Sequence, residues 1–111
     1  MTLTLRYCCL VEEAHDLGVN TCHVSPSHLP GLLLATGGTD NLVKVWRINL
    51  SSTTKSIKLL RTFSDHDSAV MCVRFSPDGS LLASTGGDKY LCVYSIVSQH
   101  HLWALGLKVT K

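Results

Sequence analysis

Adjacent basic residues are missing from this chain: its 10 Lys and Arg residues stand singly along 111 positions. Proteins that hold nucleic acid gather cations on one face to displace counterions from phosphates, so no nucleic-acid partner is expected, and a net charge of +2 supplies no steering field. No stretch approaches the ~18 apolar residues of a membrane span. The opening MTLTLRYCCLVEEAHD lacks the cationic lead of a secretory signal, and acidic residues follow its short apolar patch. No C-x-x-C occurs, and the five cysteines, Cys8, Cys9, Cys22, Cys72 and Cys92, are odd in number and lie mostly in apolar patterns. That usage suits a reducing compartment, cytoplasmic or nuclear, rather than a disulfide framework. Charge is sparse at 16% against 45% hydrophobic residues, which excludes disorder and leaves enough apolar side chain for one small core.

What is present is strand pattern of an unusual kind. VRFSPDGSLLASTGGDKYLCVY, residues 73 to 94, places an Asp-Gly turn between runs that are apolar at nearly every position. A half-buried antiparallel strand would alternate apolar and polar, and SLLAS and YLCVYSI do not, so both faces of this sheet are expected to be covered. Strands are predicted over 19–24, 32–36 and 43–48, and again over 70–75, 81–84 and 91–96. The Ser/Thr-rich stretch 49–56 reads as a surface loop.

The two sets are copies of one another. Residues 14–46, with Ser27, His28 and Leu29 looped out, align with residues 65–94 over thirty positions, of which twelve are identical. The offset is 51 at His15/His66 and 48 at Asp40/Asp88, the insertion accounting for the difference. A period of ~40 to 50 residues built from strands points to propeller blades, each sandwiched between neighbours, which explains the two-sided apolar strands.

Each copy carries a His, a Val four residues on, Ser-Pro, Leu-Leu-Ala with Thr or Ser, Gly, Asp, and an aromatic six residues after the Asp. This pattern resembles the WD repeat, with His15, Thr36, Asp40 and Trp46 in the first copy and His66, Ser84, Asp88 and Tyr94 in the second. It departs from that repeat where Ala14 and Asp65 replace the Gly before His, and where Tyr94 replaces Trp. The resemblance implies an all-β chain of about two four-stranded antiparallel blades, a partial β-propeller. Residues 1–13 would be the outer strand (CCLVE) of a preceding blade, 14–63 and 64–98 the two repeats, and 99–111 a trailing outer strand (HLWALGL). AHDLG, VKVW and the segment from Asp88 to Tyr94 are further similar to the last repeats of WD-repeat proteins that also carry SAM and U-box domains, a class of suspected ubiquitin ligases.

The residues themselves raise two chemical readings. His66, Ser84 and Asp88 are the residue types of a hydrolase triad, but no G-x-S-x-G elbow surrounds Ser84 and no oxyanion donors can be named, so no catalytic residue and no enzyme is expected. The adjacent Cys8-Cys9 and Cys22-His23 would point to opposite strand faces, so neither a metal nor any other cofactor is expected, and Cys22, Cys72 and Cys92 read as small apolar strand residues. The resemblance implies instead that the eight motif residues form hydrogen-bonded networks. It also implies that positions on the upper rim, Gly18, Asn20 and Thr39 with Ala69, Met71 and Gly87, meet partner proteins, among which Asn20, Thr39 and Met71 have side chains able to contribute. The expected function is a protein-interaction scaffold, with the substrate-recruiting part of a ubiquitin ligase as its finer form; the alternative is a structural piece of a larger ring with no activity of its own. In that case apolar blade faces stay open to solvent.

Overall fold

The structure, a computed structural model, describes residues 3–5, 9–26, 32–50 and 55–96, together with the backbone of 107–110. Two four-stranded antiparallel sheets follow one another along the chain, each in simple meander order. The first contains β1 (Val19–Val24), β2 (Leu32–Gly38), β3 (Val43–Leu50) and β4 (Lys55–Phe63). The second contains β5 (Val70–Phe75), β6 (Leu81–Gly86), β7 (Tyr90–Ser95) and β8 (Leu107–Thr110). No helix occurs among the described residues, and none there is long and apolar enough to cross a membrane.

The same local devices build both sheets. At the first turn of each, a Ser-Pro corner closes through paired bonds: Ser25 N–H donates to the Leu33 carbonyl at 2.8 Å while Leu33 N–H donates to Ser25 Oγ at 2.9 Å, and Ser76 with Leu81 repeats this at 2.8 and 3.0 Å. The serine therefore replaces one rung of the ladder where Pro can donate nothing. The second turn sets its last residue in the left-handed region, at φ 73° for Asn41 and 68° for Lys89. Asn tolerates that conformation far better than Lys.

The sheets pack face to face. Leu33, Ala35, Val43, Val45 and Phe63 meet Val70, Val73, Phe75, Leu82, Cys92 and Tyr94 in one core. Two pairs of rings stack across this seam, Phe63 on Tyr94 at 4.2 Å and His23 on Phe75 at 5.9 Å between centroids. His23 Nδ1 also accepts the Phe75 N–H at 2.8 Å. Gly37 marks the closest approach, since a Cβ there would collide with the Val70 side chain.

Several boundaries differ from the sequence-based expectation. The strands before and after the Ser/Thr-rich stretch extend into it, pairing Asn49 with Ser56 and Leu50 with Lys55, and 51–54 lie outside the described residues. Side-chain composition suggested a loop there, but ladder pairing between two long strands overrides it. Residues 9–11 of CCLVE form no strand and 12–17 are turns; both sheets are complete without them. The outer strand of the second sheet is Leu107–Thr110, at the very end of HLWALGL and beyond, whereas 101–106 lie outside the described residues. Cys92 is buried as expected of a small apolar residue, but Cys22 is exposed, because nothing described covers the outer face of the first sheet.

Candidate functional site: two histidine networks and the rim they hold

His15 and His66 sit in the loops preceding β1 and β5, and both rings are buried. His15 Nδ1 lies 2.8 Å from Asp40 Oδ1, and its Nε2 lies 2.8 Å from Thr36 Oγ1. Trp46 Nε1 donates to the same Thr36 oxygen at 2.9 Å. Part of the relay follows from the donors available: the indole N–H goes to Thr36 Oγ1 and the Nδ1–H to the Asp40 carboxylate, while Thr36 Oγ1 and His15 Nε2 share the remaining hydrogen bond. Asp40 then turns to the backbone, accepting Asp16 N–H at 3.1 Å and Leu42 N–H at 3.2 Å, which ties the loop before β1 to the β2–β3 turn. Gly38 lies directly beneath, where a Cβ would strike the His15 ring and Asp40.

The second network repeats the relay with one member moved. His66 Nδ1 is 3.1 Å from Asp88 Oδ2, its Nε2 is 2.8 Å from Ser84 Oγ, and Asp88 accepts Asp67 N–H at 2.7 Å and Tyr90 N–H at 3.1 Å. Tyr94, however, does not take the place of Trp46. Its phenol hydroxyl extends along the ring axis past the strand and donates to Asp65 Oδ2 at 2.9 Å. The two departures from the repeat pattern, Asp65 for Gly and Tyr94 for Trp, are therefore partners. In the first sheet Ala14, at the Asp65 position, contributes only its carbonyl, which Lys44 Nζ engages at 2.7 Å while lying 6.0 Å over the Trp46 ring.

Charge in these networks follows the same geometry. Burial works against ionisation of Asp40 and Asp88, yet hydrogen bonds from the His rings and backbone N–H groups outweigh it and hold both carboxyls below the usual range. Burial first, and then the Asp65 contact, push the Tyr94 phenol up. Ser84, His66 and Asp88 have the connectivity of a hydrolytic triad, but Ser84 is only 1% exposed and no substrate carbonyl could approach its oxygen. No cluster of three or more His, Cys, Asp or Glu side chains able to hold a metal occurs among the described residues.

At the upper end the networks hold a rim. Both first strands slip register at the same place, between Val19 and Thr21 and between Val70 and Cys72, so Asn20 and Met71 are the extra residues of two β-bulges. A bulge turns its side chain out of the pleat, and both residues are exposed, Met71 by 59%. Thr39 Oγ1 donates to Asn20 Oδ1 at 3.1 Å, and Asn20 Nδ2 donates across the seam to the Val70 carbonyl at 3.1 Å. Gly18 and Ala69 accept the backbone N–H of Thr39 and Gly87 at 3.0 and 3.1 Å. Sequence reasoning expected these residues at the rim and named Asp65 and Tyr94 as two departures from the repeat, but it missed the bulges, the serine corners and the contact between Asp65 and Tyr94; a bulge leaves no residue signature here.

Two stretches, residues 6–47 and 57–95, match the model of the family described as "WD domain, G-beta repeat". The chain belongs to the WD-repeat family. Protein hir1 of Aspergillus terreus is 35% identical over 88 residues, covering 76% of this chain and 8% of that protein. Protein hir-1 of Neurospora crassa is 39% identical over 92 residues, 78% of this chain and 8% of the relative. The WD repeat, SAM and U-box domain-containing protein 1 of Gallus gallus is 35% identical over 95 residues, 78% of this chain and 20% of that protein. The chain thus spans between about a tenth and a fifth of the length of these relatives. Among solved structures, Saccharomyces cerevisiae Sqt1 superimposes with a TM-score of 0.74 at 23% identity, covering 88% of this chain and 24% of that one, which shows the shared fold. Both WD matches begin in corresponding places: the second starts inside β4, the outer strand of the first blade, and takes its next three strands from the second blade.

Proposed function

We propose that this WD-repeat chain is a protein-interaction scaffold in which Asn20, Thr39 and Met71 form part of a partner-binding rim. The observation that carries this reading is the placement of two bulge residues at one end of adjacent blades, each anchored by a buried histidine network. Rigid elements that present exposed side chains at fixed spacing lose little entropy on binding. Partners are other proteins, and the four free thiols among the described residues support a cytoplasmic or nuclear setting. Recruitment of a substrate for ubiquitin transfer is the finer form of this reading, supported by the similarity to the chicken U-box protein.

Photo-cross-linking side chains installed at positions 20, 39 and 71, compared with one at the exposed outer-strand residue Lys58, test the proposal in cells. Cross-links to one partner at the rim and none at Lys58 are expected, with ubiquitin-conjugated species among them if the ligase form holds. Equal labelling at all four positions would overturn it. The second reading, a structural blade pair without activity of its own, is favoured by the two outer faces that no described residue covers. It predicts cross-links only from those faces.

A further inference from the structure

Strand β5 stands at the edge of its sheet, so the N–H groups that point away from β6 find no partner in the ladder. At Phe75 that N–H is buried in the seam, and the half-buried His23 ring of the first blade satisfies it, Nδ1 accepting at 2.8 Å. A backbone N–H can only donate. Nδ1 of His23 must therefore be bare, and the one ring proton of the neutral imidazole stands on Nε2.

His15 and His66 have the opposite arrangement. There Nδ1 faces a carboxylate, Asp40 or Asp88, so a second proton on either ring strengthens the contact by making it an ion pair. A proton added to His23 lands on Nδ1 and sets one N–H against another, and the bond across the seam is lost. Attraction of the imidazolium to the stacked Phe75 ring leaves the backbone N–H unbonded all the same. The elements packed against β1 bring no carboxylate to compensate: β2 has no ionisable side chain, and β5 has only Cys72 and Arg74. Arg74 adds positive charge, its guanidinium donating to the Val73 carbonyl of its own strand. On β1 itself Cys22 is exposed on the other face, and in the turn after β5 the Asp78 carboxylate is engaged by Ser76 and Ser80.

We propose that His23 is an acid-sensitive latch between the blades. Neutral, it bonds the first blade to the inner edge of the second; protonated, it releases that edge while the histidine networks inside each blade persist. The contact is therefore present at neutral pH and above, and is lost as pH falls through the range in which imidazoles take up a proton, roughly pH 7 to 5. Asn20, on the same strand, reaches across the seam to the Val70 carbonyl, so the release alters the spacing of the two bulge residues, Asn20 and Met71. The proposal rests on the two-sheet fold and not on the rim having a partner.

Nitrogen-15 NMR of the full chain tests it at the atoms concerned. At neutral pH the His23 ring should show a bare Nδ1 and a protonated Nε2, and the His15 and His66 rings a protonated Nδ1. Between about pH 7.5 and 5 the exchange protection of the Phe75 amide, corrected for the intrinsic pH dependence of exchange, should fall about tenfold, while that of Val45 inside the first blade changes less than about twofold. His23→Gln keeps an acceptor that takes up no proton, so protection of Phe75 should there stay high at both ends of the range. His23→Leu offers no acceptor and should show the low value throughout. A protonated Nδ1 on His23 at neutral pH overturns the proposal, as does Phe75 protection that holds to the acid end in the unsubstituted chain. An equal fall at Val45, or a fall at Phe75 that persists in His23→Gln, overturns it as well. The unsubstituted chain decides three of these outcomes by itself, and His23→Asn replaces His23→Gln should that variant unfold.

Discussion

Lys89 shows how far the two copies can diverge at a single residue without altering the turn. Asn41 and Lys89 hold the same left-handed backbone, at φ 73° and 68°, where both meet the steric cost of a Cβ but only the short polar side chain of asparagine can offset it by bonding to the local backbone. Lys89→Asn should stabilise the protein by about 0.5–1 kcal/mol, read as a higher midpoint in chemical denaturation with unchanged slope. Asp65 and Tyr94 offer the complementary case, a contact between two departures from the repeat. A double-mutant cycle with Asp65→Ala and Tyr94→Trp should return a coupling on the order of 1 kcal/mol, because each single change strands its partner while the double change restores the residues found around Trp46. Additive effects would show that the 2.9 Å contact carries no weight. Neither relation was legible in the sequence: the residues could be named one by one, but that Tyr94 reaches Asp65 and not Ser84 depends on where a phenol oxygen ends up.

At the scale of the element, the turns are carboxylate devices. Asp40 and Asp88 each tie a strand turn to the loop before the blade, and Asp78 closes the β5–β6 turn by accepting the Ser76 hydroxyl at 2.7 Å and the Ser80 N–H and hydroxyl at 3.0 and 2.8 Å, which lowers its carboxyl to about 2. All three carboxyls have folded values below those of an unfolded chain, near 3.9. Their contribution is therefore fully present above about pH 4 and is lost as pH falls through the lowered folded values. Thermal melts followed by circular dichroism should show the loss of this contribution as a fall in midpoint between about pH 4 and 2, and that fall should be shallower in D40N/D88N. Strands β2 and β6 were legible from the motif because their Thr and Ser stand beside apolar neighbours that the pattern fixes. The 49–56 stretch was not, since its Ser and Thr residues say nothing about the pairing of β3 with β4.

The whole molecule depends on one seam. Gly37 stands where Val70 approaches most closely, so Gly37→Ala should force the blades apart and cost about 1–3 kcal/mol. A matching Val70→Ala substitution in the same chain should recover part of that loss, and equal, independent penalties would show that the two sites do not meet. The blade architecture itself was legible in the sequence because a period of 48 to 51 residues and two-sided apolar strands admit few other arrangements. The register slips that produce the rim were not, because a bulge changes the pairing and not the composition.

The exchange of Trp46 for Tyr94 also gives the two blades different colours. An indole buried beside Lys44 and bonded to Thr36 emits according to the state of the first network, while the phenol held by Asp65 absorbs according to the state of the second. With Trp103 replaced by Phe, indole emission during heating would report the first blade alone, and near-ultraviolet absorbance difference would follow the tyrosines. Because Phe63 stacks on Tyr94 across the seam, the two optical transitions should fall at one temperature, and a separation between them would mean that the blades melt as independent bodies.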